Sequence, residues 1–285
     1  FGYGYTTGNV SMSNLVSSSG VVATDVSGVG TARRSLAATG YGTDKAIFGF
    51  GVTSGNLSMT NLVSNSGVIS SDVSGVGTAR QNLDATRYGG DKAIFAYGYA
   101  GSFSSLSNLV SNVGVVAADV TGVGTARYGV SAAGYGGDKA LFGYGEIASS
   151  TDLSVTNLVS SSGVVATDTT GVGTARNQLS AATYGGDKAI FAYGYTHSGA
   201  SRVSMSNLVS NSGVVASDVS GVGTARSWLA AAGYGGDKAI FGYGSTGSNV
   251  SLTNLVNSSG VVASDVTGVG TARSGLAAAG FSTSA

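Results

Sequence analysis

Few residues in this chain are equipped for chemistry. There is one histidine, His197, and no cysteine. Disulfides, thiolate metal sites and a cysteine nucleophile are thereby excluded. A serine-type triad needs a histidine oriented by a carboxylate and close to a hydroxyl. His197 stands in Thr196-His197-Ser198-Gly199-Ala200-Ser201-Arg202, with no acid beside it. A metal site needs several convergent ligands, and a lone histidine among scattered carboxylates predicts none. Of the acids, only Asp84, Glu146 and Asp152 fall outside a repeating pattern. Asp84 is expected on an inner strand. Glu146 and Asp152 share one loop and are the one pair from which a glycosidase, needing two carboxylates about 5 to 10 Å apart, could be built. Two solvated loop charges are the expected reading, with no catalytic residue and no cofactor.

The elements that must position these residues come from a repeat. Gly-Val-Gly-Thr-Ala-Arg occurs six times, ending at Arg33, Arg80, Arg127, Arg176, Arg226 and Arg273, in steps of 47, 47, 49, 50 and 47 residues. A period of this size means one supersecondary unit, copied, whose apolar faces must be buried against neighbouring copies. The segment lacks the Lys-Ser/Thr of a phosphate loop and the third glycine of a dinucleotide fingerprint, and no helix follows it.

Charge belongs mostly to the repeat. The six arginines, six aspartates (Asp25, Asp72, Asp119, Asp168, Asp218 and Asp265) and five Asp-Lys pairs from Asp44-Lys45 to Asp237-Lys238 make 22 of the 28 charged residues. Each Arg is expected to meet an Asp or backbone carbonyls at a junction between units, because an isolated buried charge is costly. Net charge is zero and only 10% of residues are charged, which argues against nucleic acid or an anionic membrane as partner. No apolar run approaches the ~18 residues that cross a bilayer. A chain beginning at Phe1 is expected to be a mature product or part of a longer polypeptide.

The copy from Gly221 shows the strands. Ser227–Tyr234 is rich in small apolar residues and suits a crowded innermost strand. Gly235-Gly236-Asp237 reads as a tight hairpin loop. Lys238–Gly244 forms a second strand and Val250–Val256 a third, with two-residue alternation. Asn257-Ser258-Ser259-Gly260 is a turn, and Val261–Val266 reads as a fourth, β-branched strand. Glycine recurs too often for helix.

This order resembles the kelch repeat: Thr-Ala-Arg-Ser-x-Leu-Ala-Ala-Ala, then Ala-Ile-Phe-Gly-Tyr-Gly, then Val-Ser-Met-Ser-Asn-Leu-Val, then Gly-Val-Val-Ala-Ser-Asp-Val. The likeness covers all six copies. It departs at the glycine doublet, at the turn after the third strand, and at the outer-strand Trp, since the sole Trp is Trp228 on the inner strand. The resemblance implies a binding platform more often than an enzyme. The copper chemistry of some kelch-like oxidases would need ligands this chain lacks. The Gly/Ser/Thr/Asn-rich repeat style also resembles propeller proteins of tailed-phage virions, which implies a virion or extracellular setting.

The chain starts on Phe1-Gly2-Tyr3-Gly4, the second half of a phrase found whole at Asp237–Gly244, and its end, Gly280–Ala285, occupies the place of Gly233–Lys238, so the two ends read as two halves of one unit that complete each other in a circle. The expected fold is therefore all-β: a six-bladed β-propeller of four-stranded antiparallel blades in one domain, 1–285. Blades are expected at 28–74, 75–121, 122–170, 171–220, 221–267, and 268–285 plus 1–27.

Two places vary between copies: the pair after each Arg, and the loop between the second and third strands, where both length changes fall. Up-and-down connectivity puts both on one face, which is how binding is grafted onto a scaffold. Candidate ligand contacts are Arg34, Gln81, Tyr128, Asn177, Trp228, Glu146, Asp152, His197 and Arg202, aromatic and hydrogen-bonding groups suited to a glycan or protein partner. A hydrolase on carbohydrate, or a scaffold within a larger assembly, are the alternatives.

Overall fold

The computed structural model describes residues 1–281, so positions 282–285 of the expected sixth unit lie outside the described residues. The described residues are all-β but for one short 3-10 turn, Ala148–Ser150, and form eight small antiparallel sheets. Five of these have three strands each. In the first unit Ala37–Tyr41 pairs with Lys45–Gly49, which pairs with Thr60–Val63. The same order recurs with Asp84–Tyr88, Ser131–Tyr135, Ser180–Tyr184 and Ala230–Tyr234 as first strands. Among the described residues, no helix is long and apolar enough to cross a membrane.

The first strands carry Ala, Gly, Ser and Thr because they crowd one another. From the first unit to the fifth, successive first strands lie against one another. The hairpin loop after each turns on glycines in the left-handed region, Gly235 at φ 59° and Gly236 at φ 86°, and links to its neighbour, as when Gly42 N–H donates to Asp91 O at 2.8 Å.

After the second strand the backbone enters the left-handed region at an aromatic residue: Tyr3, Phe50, Tyr97, Tyr144, Tyr193 and Tyr243, with φ between 61° and 66°. That conformation costs about 1–2 kcal/mol for a residue with a Cβ. It turns the ring into the junction, where it is fully buried and packs on a phenylalanine of the next unit. The pairs are Tyr3–Phe48, Phe50–Phe95, Tyr97–Phe142, Tyr144–Phe191, Tyr193–Phe241 and Tyr243–Phe1, with centroids 5.0–5.5 Å apart. Burial of such a ring, plus about 0.5–1.5 kcal/mol per aromatic pair, offsets the strain. The series returns to its start through Tyr243 and Phe1.

The terminal segments join accordingly. Gly2 bridges Ala277, Tyr5 bridges Ser274, and Gly2–Tyr5 pairs with Asn9–Ser13. Phe1 and Val22 share a buried cluster with Ala230 and Leu276, while Tyr3 and Ala277 share one with Leu36 and Phe48. The terminal segments thus pack against both the fifth and the first unit.

The fourth strand is a correction. In the unit from Gly221, the expected Val261–Val266 makes only two single bridges, Val262 to Val256 and Val266 to Thr253. Between them a side chain replaces the ladder: Asn254 Nδ2 donates to Ala263 O at 3.0 Å and to Asp265 Oδ1 at 2.9 Å. Asp265 is held in turn by the Thr224 N–H and hydroxyl. The third strand is also shorter than expected, Thr253–Val256.

Candidate functional site

The six repeated arginines sit in the junctions with 0% exposure. Arg80 is representative. Its Nε donates to Tyr97 O at 2.9 Å, Nη1 to Thr78 O at 3.1 Å and Nη2 to Asn108 Oδ1 at 2.6 Å, while Asp119 lies 3.8 Å from Nη1. The guanidinium lies 4.4 Å from the centroid of Phe50 in the preceding unit. Burial lowers its pKa to about 10, which leaves it charged at neutral pH. The paired aspartate sits downstream of its Arg in five cases, as with Asp72 and Arg33, Asp168 and Arg127, Asp218 and Arg176, and Asp265 and Arg226, whereas Arg273 takes Asp25 from the start of the chain. These charges are occupied within the protein's own framework.

The two variable regions meet. The residue after each Arg bridges the start of the loop between second and third strands: Arg34 with Val52, Gln81 with Tyr99, Tyr128 with Glu146, Asn177 with Tyr195, Ser227 with Ser245, and Ser274 with Tyr5. In three units that loop closes with one bridge, such as Val52 to Asn56, and in the terminal unit it lies within the Gly2–Tyr5 and Asn9–Ser13 hairpin. The third and fourth units carry the extra residues, and there the loops become two-stranded ladders. Glu146–Ile147 pairs with Thr151–Asp152, and Tyr195–Thr196 pairs with Ser201–Arg202.

These two ladders bring polar groups together. Asp152 directly faces Glu146 across its ladder. His197 arrives from the next unit: Nδ1 is 3.0 Å from Asp152 Oδ1, its backbone N–H donates to Asp152 Oδ2 at 2.7 Å, and Nε2 is 4.0 Å from Glu146 Oε1. Asn177 Nδ2 donates to Asp152 Oδ1 at 2.6 Å and lies 3.2 Å from His197 Nδ1. Asn177 is fully buried, and its Oδ1 has no hydrogen-bond partner among the described residues. Position 152 is the counterpart of Asn56 and Asn249, which donate to backbone oxygens of the following unit. A junction position is here occupied by an acid.

The expectation of two solvated loop charges is overturned. The side chains of Glu146 and Asp152 are only 9% and 6% exposed, because the neighbouring loop folds over them. Burial pushes the Glu146 carboxyl above its ordinary value, with Asp152 adding to the shift and His197 and Tyr128 opposing it. Burial, then the Glu146 carboxylate, push the Tyr128 hydroxyl up to about 12. His197, with no acid beside it in sequence, has two in space. The argument from scattered carboxylates against a metal also fails on geometry. One donor atom from each of Glu146, Asp152 and His197 lies within 4.8 Å of the others. Among the described residues, no Ser or Thr hydroxyl hydrogen-bonds His197, so the arrangement lacks a nucleophile of the serine-protease kind.

Half-buried aromatics border the cluster. Phe103 stacks on Tyr128 with centroids 5.5 Å apart, Tyr99 meets both, and Tyr195 lies edge-on to His197 at 5.1 Å. Tyr99, Phe103 and Tyr195 are not among the candidate contacts expected from sequence, although all three lie in the variable loops between second and third strands.

Tyr128, Glu146, Asp152, Asn177 and His197 come together; the other four candidates stand apart. Arg34 donates to Asn9 Oδ1 at 3.0 Å and covers Tyr5, between the terminal and first units. Gln81 pairs with Tyr99 in the second unit. Arg202 faces Tyr195 across its ladder and leaves a buried Nε unpartnered. Trp228 belongs to the wall of a central cavity of about 1340 Å³, which first-strand residues of every unit line together with Asp84 and Arg87.

The sequence matches no protein-family model and no curated protein.

Proposed function

We propose that this chain is a non-enzymatic recognition module: a six-bladed β-propeller, kelch-like in its order of parts, that binds a glycan at the junction of its third and fourth units. Junction contacts that repeat from unit to unit and pass through both terminal segments support the propeller reading. In it, each fourth strand is the short bridged segment that follows the third. The observation that carries the binding site is the cluster of Glu146, Asp152, Asn177 and His197, flanked by the half-buried rings of Tyr99, Phe103 and Tyr128. Sugars offer hydroxyls to carboxylates and amides and an apolar face to aromatic rings. The cluster occurs where the two lengthened loops meet, so one junction of the ring differs from the rest.

Screening the purified chain on a glycan array, followed by calorimetry on the best ligand, tests this reading. Saturable binding that Tyr128→Ala abolishes and Arg34→Ala leaves intact supports it. Equal sensitivity to both variants, or no binding to any glycan, overturns it.

One observation favours a hydrolase as second reading. Glu146, with its pKa raised by burial, directly faces Asp152, and unlike carboxyl environments are what separate an acid from a base. Turnover of a bound glycan, lost in Glu146→Gln with binding retained, would replace the first reading by this one.

A further inference from the structure

We propose that Glu146, Asp152 and His197, with Asn177 as a fourth donor, form a binding site for one divalent transition cation of the Zn²⁺ or Mn²⁺ class. The inference concerns the same junction as the glycan reading but does not depend on it.

Three observations carry it. The first is charge. Two carboxylates face each other across a two-residue ladder, 9% and 6% exposed. Like charges in directly opposed positions destabilise a sheet. Among the described residues, neither acid has a Lys or Arg within ion-pair distance; their one basic partner is His197. A bound dication supplies the positive charge that the side chains lack.

The second is donor spacing. Two ligands on a cation with bonds near 2.0–2.2 Å lie about 3 Å apart when adjacent. Around Asp152 Oδ1, the carboxamide of Asn177 lies at 2.6 Å and His197 Nδ1 at 3.0 Å, and the carboxamide lies 3.2 Å from that ring nitrogen. Asp152 Oδ1 and His197 Nδ1 already stand at the spacing of adjacent ligands, the Asn177 carboxamide joins them when turned to present Oδ1 in place of Nδ2, and the Glu146 donor lies within 4.8 Å of those of Asp152 and His197.

The third is an unpartnered group. The fully buried Asn177 carboxamide points its Nδ2 at both Asp152 and His197 and leaves Oδ1 without a partner among the described residues. If His197 Nδ1 carries the proton that binds Asp152, Nδ2 faces a second donor. If it does not, the ring nitrogen has no hydrogen to give Asp152. Turning the amide over places Oδ1 in the cluster as an acceptor beside Asp152 Oδ1, a pairing that a shared proton or a bound cation reconciles at that distance. Nitrogen from imidazole with carboxylate and amide oxygens suits Zn²⁺ or Mn²⁺, whereas Ca²⁺ and Mg²⁺ prefer oxygen alone.

The test uses the purified chain after chelator treatment, with metal alone as probe. Titration with Zn²⁺ by calorimetry is expected to show one ion per chain with micromolar or tighter affinity. Co²⁺ is expected to give visible d–d absorption that Zn²⁺ displaces. His197→Ala and Asp152→Asn should each weaken Zn²⁺ binding by at least about tenfold, with folding checked by circular dichroism. Asp84→Asn, remote from the cluster, should leave binding unchanged. Absence of Zn²⁺ binding and of a Co²⁺ spectrum in the folded wild-type chain overturns the inference, as does binding that both ligand variants leave intact. Because no glycan enters these measurements, their failure leaves the glycan reading standing. Loss of glycan binding alone leaves the cation site standing.

Discussion

The backbone N–H of Ser35 donates to the carbonyl oxygen of Gly275 at 2.8 Å, joining residues near opposite ends of the chain. Gly275 donates to Trp228, Trp228 to Gln178, Gln178 to Gly129, Gly129 to Asn82, and Asn82 to Ser35, all at 2.8–3.0 Å. Six hydrogen bonds therefore close a circle at the cavity wall. All six residues have φ between 54° and 63°, the conformation that lets each one's N–H and C=O address neighbours on opposite sides. Glycine fills this position at Gly129 and Gly275; the other four carry side chains at a steric cost.

That cost is measurable at Ser35, whose φ is 55°. Relief of the left-handed strain is worth about 1–2 kcal/mol, against about 0.5–1 kcal/mol for the greater freedom of an unfolded glycine. Ser35→Gly is expected to raise stability by up to about 1 kcal/mol. Urea denaturation reads this, and a destabilised variant would show that the circle does not tolerate loss of the serine.

Closure through the termini makes a second prediction. Tyr3 and Tyr144 are both 0% exposed and hold equivalent junction positions. Truncating either to Ala should cost a similar amount, about 3–5 kcal/mol. If the terminal pairing frays in solution, Tyr3→Ala will cost far less in chemical denaturation than Tyr144→Ala.

The junction arginines set a third. Removing Arg80 strands two buried acceptors, Tyr97 O and Asn108 Oδ1. At about 1–3 kcal/mol each, Arg80→Ala should cost about 2–6 kcal/mol. Arg80→Lys should recover little of it, because an ammonium cannot reproduce three directed contacts from a planar fork lying on a ring. Melting temperatures of the two variants decide between this and a purely electrostatic role, for which Lys would suffice.

The pH profile of stability has two opposed arms. Asp84, half-buried in the cavity wall and accepting N–H groups of Ala85 and Ala132 at 2.8 Å, is raised by burial to about 7. Its folded pKa exceeds the unfolded carboxylate value of about 3.9. The native state therefore binds more protons in between, and stability falls as pH rises from about 4 to 7. The junction aspartates behave oppositely. Partial burial pushes Asp119 up, but the Thr78 hydroxyl, the Asn108 amide, the Thr78 N–H and Arg80 outweigh it and leave its pKa lowered. Such groups stabilise above about pH 4 and lose that contribution as pH falls further. Stability measured against pH should peak between these arms. Asp84→Asn should flatten the neutral arm alone.

Much of the framework was legible because it is local. The Gly-Gly-Asp turn at Gly235, the small first strand at Ala230–Tyr234 and the Lys238–Gly242 strand read directly from residue types. The fourth segment did not. Its valines signal a strand, but the buried Asn254 takes the Ala263 carbonyl into a side-chain hydrogen bond and holds the part-exposed Asp265, pairings that propensity does not see.

The candidate site divides in the same way. The sequence determined that six units repeat, that two positions in each vary, and that both length changes fall in adjacent units, because these facts are periodic along one dimension. Only tertiary structure decided which residues meet. His197 reaches Asp152 across 45 residues, and Asp72 pairs with the Arg of the preceding Gly-Val-Gly segment, because neighbours at a junction are set by the packing of whole units. Burial of Glu146 and Asp152 had the same origin: it follows from the loop of the next unit closing over them, and no property of their own loop encodes it.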